Sequence, residues 1–443
     1  MIMRHHLKCY GCEGLFTVRL GTEPTKGTRF YIPCPLCGYP NKGLMSGMEL
    51  EDHRLDLECE LANGPDPEIS GAPVITVNPF VPSRYDADSL ASEAVSVGMF
   101  PTMTVLQLLG DEVYEAFQTE RHEAIEAGRS AWPEVRKLFR FYLLGNDQMF
   151  TRIANEKFGL EWEPTTAHER TTVAYQALGI VTTTITGTTG TSAEGVIRRF
   201  GMKHTAAMKR DDSHLMAFRS RGQLTAATER DLFTEIDRFV DQHESWELGL
   251  LSRFVGPEAK SELEELVLYR DEFATVRDLY QQGFELACKC LWPLVAAQNT
   301  LKRSSPDDFG DAHPDSVPEK LRPTNLKKFD GLANAYKLAY VTQVPGWESF
   351  ADLLNNRRRN TIGHAMAHHD LRTGRVTSDK DPDGMTYLEF LGETLGVFEA
   401  LSTLAQVLRA VRVASSPDFN VPYDWKPGMT PPADAQTAPR RRG

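Results

Sequence analysis

What this chain of 443 residues lacks narrows it first. No stretch is long enough and apolar enough to read as a membrane helix. The start, Met1-Ile2-Met3-Arg4-His5-His6, leads into cysteines and not into an apolar signal core, so a cytoplasmic protein with no membrane partner is expected. Positive charge is short: 49 Lys and Arg stand against 61 Asp and Glu, a net charge of −12. That excludes a protein binding nucleic acid with its whole surface, and any RNA contact has to be a local basic patch. Cysteine is sparse, seven in all, and in a reducing compartment these do not read as a disulfide framework. The Thr/Gly-rich run Thr182 to Thr191 has no following Gly-Lys-Ser/Thr, so it is not a P-loop. Threonines in that number suit a helix poorly, and the run reads as a flexible loop or β-like edge. No internal repeat is visible.

Four of the cysteines carry the most specific signal. Cys9-x2-Cys12 and Cys34-x2-Cys37 are two knuckles with Gly11, Gly14 and Gly38 beside them. Between them lie two β-rich runs, Phe16 to Leu20 and Thr28 to Ile32, joined by a Gly/Pro/Lys turn. Two knuckles bridged by a hairpin is the layout of a zinc ribbon. Four thiolates at Cys9, Cys12, Cys34 and Cys37 make a closed tetrahedral shell for structural Zn2+, with no open position for catalysis. His5 and His6 are alternative ligands that a complete sulfur shell does not need. A ribbon of this kind serves nucleic acid, protein contacts or plain stability about equally well. Cys59, in the alternating stretch Leu55 to Leu61, reads as a buried, inert thiol on a strand, and Cys288 and Cys290 read as core thiols.

The rest of the chain is mainly α. Residues 63–89 are rich in Pro, Gly and Asp and read as a linker carrying one strand at Val74 to Val77. Apolar residues then recur at helical spacing, as at Val105, Leu108, Leu109, Val113 and Phe117, or Leu232, Ile236, Phe239 and Val240. Gly256-Pro257-Glu258 opens what reads as one long helix through Leu291, where Pro293 should kink or stop it. Arg303 to Pro323 is a Pro-rich connection, long enough to suggest a mobile loop or lid. A last amphipathic helix runs from Leu388 to Val411. The organisation expected is a zinc ribbon with small β hairpins over 1–62, a linker over 63–89 and a helical sensor or regulatory region over 90–246. A helical domain over 247–414 and a tail over 415–443, without periodicity, complete it.

One stretch offers chemistry: Asn355-Asn356-Arg357-Arg358-Arg359-Asn360-Thr361-Ile362-Gly363-His364. Arginine presents a fixed cationic fork that suits phosphate oxygens. Histidine exchanges protons near neutral pH. The bland alternative is a basic helix face with solvated or packed histidines. Arg-to-His spacing carries little weight alone, because Arg199 with His204 and Arg238 with His243 repeat it. Neither pair has Asn after the arginine. His364 and His368 would share one helix face, but only Ala365-Met366-Ala367 lies between them, so the zinc-protease pattern is absent.

The four-helix C-terminal region with Arg359-Asn360-x3-His364 resembles the HEPN superfamily, whose hallmark is an Arg followed after four to six residues by a His, often with Asn directly after the Arg. The resemblance covers about Leu248 to Val413 and implies a HEPN-like helical bundle. It implies an endoribonuclease needing no metal for catalysis: His364 as general base or acid on the ribose 2′-hydroxyl, Arg359 stabilising phosphate charge and Asn360 orienting. Arg357, Arg358 and His368 would hold RNA, and 2′,3′-cyclic phosphate ends would result. It further implies a homodimer with a composite cleft, an anti-phage abortive-infection or toxin role, and a phage-derived or cellular trigger. The other reading is a non-catalytic zinc-ribbon protein that binds nucleic acid or a partner and dimerises through its helices.

Overall fold

The computed structural model describes residues 2–49, 52–62, 72–84, 101–160, 162–187, 222–311, 313–363, 367–379 and 381–415. The chain divides into two compact units, each assembled from three separated stretches. The first comprises Met1–His122, Gln242–Gln281 and Arg357–Leu395; the second comprises Glu123–Asp241, Gln282–Asn356 and Gly396–Gly443.

The first unit begins with seven strands: β1 Ile2–Lys8, β2 Leu15–Gly21, β3 Thr25–Pro33, β4 Pro40–Gly47, β5 Arg54–Leu57, β6 Glu60–Leu61 and β7 Val74–Val77. They form two small sheets, one ordered β6-β1-β2-β7 and one ordered β3-β4-β5. Leu7, Phe16, Val18 and Leu20 from the first sheet, and Phe30, Ile32 and Met45 from the second, enter one core with Ile75 and Val77, while Thr17 and Tyr31 on the opposite faces of β2 and β3 are buried as well. The runs around Phe16 and Phe30 do not form a hairpin with each other, contrary to expectation. β2 pairs with β1, and β3 pairs with β4. Each cysteine knuckle is itself a chain reversal, so the strands flanking one knuckle become partners. The stretch around Cys59 is likewise split into β5 and β6, with Cys59 buried between them.

Ser83–Arg84 (β8) pairs with Leu266–Val267 (β9). This breaks the long helix expected from Gly256. After one helical turn at Lys260–Leu263 the chain extends, and helix resumes only over Phe273–Lys289. The extended stretch lies along the edge of β3: Tyr31 N donates to Tyr269 O at 3.3 Å and Asp271 N to Arg29 O at 3.0 Å. It brings in Arg270, only 1 % exposed. Its Nε donates to Pro79 O at 2.7 Å and Nη2 to Glu247 Oε1 at 3.0 Å; Nη1 donates to Glu244 O and lies 3.4 Å from Glu272 Oε2. Arg121 Nε donates to the other Glu247 oxygen at 2.7 Å, and its Nη2 to Glu23 at 2.9 Å. Burial pushes the Glu247 carboxyl up, but Arg121 and Arg270 outweigh it and hold the group below its ordinary range.

The same unit closes with β10 His368–Asp370, β11 Arg375–Ser378 and β12 Asp381–Thr386, an antiparallel set leading straight into the C-terminal helix Tyr387–Ser415. A capping box starts that helix: Glu389 N donates to Thr386 Oγ1 at 3.1 Å, and Thr386 N donates to Glu389 Oε2 at 2.8 Å. Its first turns pack on the Glu247–Arg253 turn so closely that a Cβ on Gly249 would stand 2.3 Å from Leu391 O, which only glycine permits.

The second unit is helical: Trp132–Leu144, Asp147–Phe158, Ala167–Thr186, Gly222–Asp241, Trp292–Arg303, Asn334–Val341 and the far half of the C-terminal helix are its main elements. Phe139 stacks on Phe233 at 4.5 Å and Phe239 on Phe398 at 5.6 Å. Buried Glu229 accepts from Tyr142 Oη at 3.0 Å, Tyr175 Oη at 2.7 Å and Arg412 Nη2 at 2.6 Å, joining three helices to its own. Three sequence expectations change here. Helix Ala167–Thr186 continues through the threonines, because Val181, Thr182, Ile185 and Thr186 are buried on it; the Thr182, Thr184 and Thr186 hydroxyls fold back onto the carbonyls of Gly179, Ile180 and Thr183. Thr188 to Thr191 lie outside the described residues. The helix before Pro293 does stop, at Lys289, but Pro293 also opens the next one, Trp292–Arg303, sitting in the first turn where its missing N–H costs nothing. The connection after Arg303 is tied down: Leu326 N donates to Asp307 Oδ1 at 2.8 Å, and Phe309 packs against Phe329 and Tyr340. The C-terminal helix over Tyr387–Val413 is long and apolar enough, by length and composition, to cross a membrane, but 78 % of that window is buried inside the protein. The core of a folded domain explains its apolarity.

Arg270 gives a direct test of the first unit. Arg270→Met strands Glu272 and leaves Glu247 with one cation, and should lower unfolding free energy by about 3–5 kcal/mol. Urea unfolding followed by circular dichroism reads this, and a loss below about 1 kcal/mol contradicts it.

Candidate metal centre and arginine helix

The two cysteine knuckles are built alike. Cys9 N donates to Gly14 O at 2.9 Å and Glu13 N to Cys9 O at 2.9 Å; Cys34 N donates to Tyr39 O at 2.8 Å and Gly38 N to Cys34 O at 2.8 Å. Glu13 and Gly38 occupy the same place in the two turns, at φ 57° and 75°. Gly38 takes that left-handed conformation at no steric cost, whereas Glu13 takes it with strain of about 1 kcal/mol. The turns bring four sulfurs to within 4.8 Å of one another. Cys9 Sγ lies 3.8 Å from Cys37 Sγ, and Cys12 Sγ lies 3.8 Å from Cys34 Sγ. A tetrahedral shell with bonds of roughly 2.3 Å has edges of roughly 3.8 Å, so the spacing suits a zinc ion. It is far too long for a disulfide.

Electrostatics prepare the thiols unequally. Burial pushes the Cys34 thiol up to about 12, against the backbone amides of Leu36 and Cys37 that favour its thiolate. Burial also raises Cys9, but the amides of Cys12 and Gly11 aim at its sulfur, Gly11 N at 3.3 Å, and bring it below the ordinary thiol value. A dication at the centre supplies what Cys34 lacks in this set. Cys59 stands outside the cluster, buried, its thiol pushed up to about 11 by burial. His6 is engaged elsewhere, its Nδ1 2.9 Å from Thr17 Oγ1.

The arginine stretch forms a short helix, Asn356–Gly363. Buried Ile362 anchors it, and Gln281 Nε2 caps the Ile362 carbonyl at 3.0 Å. Arg357 and Asn360 are exposed; Arg358 and Arg359 are half-buried. Arg359 Nη1 donates to Asn360 Oδ1 at 3.1 Å, so two of the three residues singled out in the sequence are in contact. The third, His364, lies outside the described residues. Arg358 turns toward the C-terminal helix, its Nη1 3.3 Å from Glu393 Oε1 and 3.6 Å from Met385 Sδ. Burial pushes the Glu393 carboxyl up while Arg358 pulls it down. Arg358 is thus a half-buried ion-pair residue more than a free phosphate contact. Glu393 is one of three acids on that helix, with Glu389 and Glu399, and nothing in the sequence sets it apart as the partner.

His368 is not on a helix, as a shared face with His364 requires: it lies on β10, exposed, with Nε2 3.2 Å from Thr377 Oγ1. Its neighbour His369 points inward and stacks on Tyr387 at 4.6 Å. Both its ring nitrogens are buried without a hydrogen-bond partner, although the residue as a whole is partly exposed. Burial lowers its pKa to about 4. The pair Arg238 and His243 is absorbed by packing: Arg238 bonds Glu235 at 2.6 Å, and buried His243 sits edge-on to Trp246 at 4.8 Å. Arg199 and His204 lie outside the described residues.

No family model matches the chain, and comparison with curated proteins and with solved structures finds no match either. The resemblance to HEPN proteins therefore rests on Arg359, Asn360, His364 and the helical setting alone.

Two outcomes are expected. Purified protein should carry one zinc per chain by plasma mass spectrometry; Cys34→Ser should release it, and Cys59→Ala should not. For His369 the unfolded chain takes up a proton near 6.5, the folded one only near 4. Over that window the unfolded state binds more protons, so stability falls as pH drops. Because His369→Phe keeps the ring stack and removes the proton, it should flatten this slope, by roughly 1–3 kcal/mol across the window. Parallel urea curves for both proteins measure the difference.

Proposed function

We propose that the chain is a metal-independent endoribonuclease of the HEPN type, with the four-cysteine ribbon holding structural zinc. The observation that carries the proposal is the Arg359–Asn360 contact of 3.1 Å on the outward side of a helix pinned by Ile362. A guanidinium held against its neighbour's amide is oriented before substrate arrives, which lowers the entropy lost in gripping a phosphate. His364, four residues on from Asn360, takes the proton of the ribose 2′-hydroxyl as that oxygen attacks the adjacent phosphorus. The leaving 5′-oxygen regains a proton, giving 2′,3′-cyclic phosphate and 5′-hydroxyl ends. Arg359 meets the charge growing on the non-bridging oxygens. Exposed Arg357 extends the phosphate contact, and His368 stands nearby in sequence as a further donor. A homodimer would bring two such motifs together, and triggered RNA cleavage would suit an anti-phage or toxin role in the cytoplasm.

The second reading is a non-catalytic zinc-ribbon protein that binds nucleic acid or a partner. What favours it is the pair of apolar knuckle tips, Tyr10 at 65 % and Leu36 at 54 % exposure.

Incubation with total RNA in excess chelator separates the two. Cleavage should persist in chelator and fall at least about a hundredfold in His364→Ala and in Arg359→Ala. The 3′ ends should resist ligation until the cyclic phosphate is opened. Intact RNA, or equal cleavage by His364→Ala, removes the ribonuclease reading.

A further inference from the structure

The sheet β6-β1-β2-β7 has one face in the core and one turned outward. On the face away from Leu7, Val18 and Leu20, β1 carries Ile2, Arg4, His6 and Lys8, while β2 carries Leu15, Thr17 and Arg19; Arg4 is exposed, Arg19 and His6 are half-buried, and Thr17 is buried beside them. The register sets Arg4 directly opposite Arg19, with Thr76 of β7 next in the row. Like charges directly opposite on neighbouring strands repel and weaken a sheet. Neither guanidinium has a hydrogen-bond or ion-pair partner among the described residues, although acids outnumber bases in the whole chain. The flanking rows offer His6 opposite Thr17 and Lys8 between Leu15 and Glu60, with Lys8 held 3.3 Å from Glu13, so the acids of this face sit at its Lys8 end and not beside Arg4 and Arg19. Two uncompensated cations side by side, bordered by Ile2 and Leu15 at 48 % and 42 % exposure, complement a flexible polyanion whose apolar rings lie between its charges.

We propose that this face is a sequence-independent docking surface for single-stranded nucleic acid, with Arg4 and Arg19 gripping consecutive phosphates. Adjacent strands stand roughly 4.8 Å apart, and long arginine side chains can splay from there to the spacing of neighbouring phosphates. Stacking on Ile2, Leu15 and the protruding Tyr10 supplies contact that does not depend on base identity. The role is separate from any chemistry at Arg359, and it gives the ribbon a task beyond holding a metal.

The test uses the full-length, zinc-loaded protein and a short fluorescein-labelled single-stranded DNA, read by anisotropy over a salt series. DNA lacks the 2′-hydroxyl, so it cannot be cut by the proposed route, and binding is read whether or not the protein is a ribonuclease. Replacing Arg4 and Arg19 together by Gln should weaken binding roughly tenfold and lower the log–log salt slope by about 1.4, two phosphate contacts on a single strand. Replacing both by Lys should keep most of the affinity and the slope, since charge is retained. Equal binding by wild type and the Gln pair overturns the proposal. So does a wild type that ignores the DNA and binds phosphatidylserine vesicles through the same arginines.

Discussion

The buried carboxylate of Glu247, clasped between Arg121 and Arg270, is the constraint on which the first unit turns. These three residues come from three separated parts of the sequence, and Glu272 and Glu23 complete their charge balance. Such a cluster contributes little if all its members are replaced together by apolar groups, but it punishes any arrangement that leaves one unpaired. It therefore specifies position more than it adds stability. Arg270 can be satisfied only if the stretch before Phe273 stays extended along β3, since its Nε needs the Pro79 carbonyl and its Nη1 the Glu244 carbonyl. This explains why a segment with helical apolar spacing is not helical there: one buried guanidinium with four acceptors outweighs the propensity of a handful of residues, each worth tenths of a kcal/mol.

Once that stretch is fixed, the helix Phe273–Lys289 starts at a defined place, and Phe273 meets Tyr387 and Phe390. Those rings seat the first turns of the C-terminal helix, where Glu393 receives Arg358. The arginine helix has only eight residues and little intrinsic stability. It is held by what it touches: Ile362 in the core, Gln281 on its last turn and Glu393 beside Arg358. The presentation of Arg359 and Asn360 to solvent is in this sense a distant consequence of the charge cluster near the ribbon.

Legibility in the sequence followed the range of the interactions. The zinc-binding potential of Cys9, Cys12, Cys34 and Cys37 was readable because knuckle geometry is local, and the matched hydrogen bonds of the two turns depend on six residues each. The C-terminal helix was readable for the same reason. The pairing of strands was misread, since two β-rich runs close in sequence suggested a hairpin, while the real partner of each lay across a knuckle. The threonine run was misread because burial of Val181, Thr182, Ile185 and Thr186 outweighs a propensity penalty of only tenths of a kcal/mol per residue. His368 was read on a helix face, whereas it lies on a strand, where alternation turns it out and sends His369 inward. The partner of Arg358 was invisible because it lies 35 residues away on another helix.

A net charge of −12 gives these placements their functional meaning. The long-range field of an acidic protein repels RNA, so attraction has to be won at contact distance, where a guanidinium within one Debye length outweighs the averaged charge. An arginine already paired with a carboxylate, like Arg358 or Arg121, contributes little to that. Arg4, Arg19 and Arg357 differ in having no ion pair among the described residues. In an acidic chain, where each base has several acids to choose from, leaving three arginines unneutralised costs the fold attraction it could have had. Under the proposals above, the same choice would make binding steeply sensitive to salt and restrict it to backbones that bring a phosphate to each guanidinium in turn.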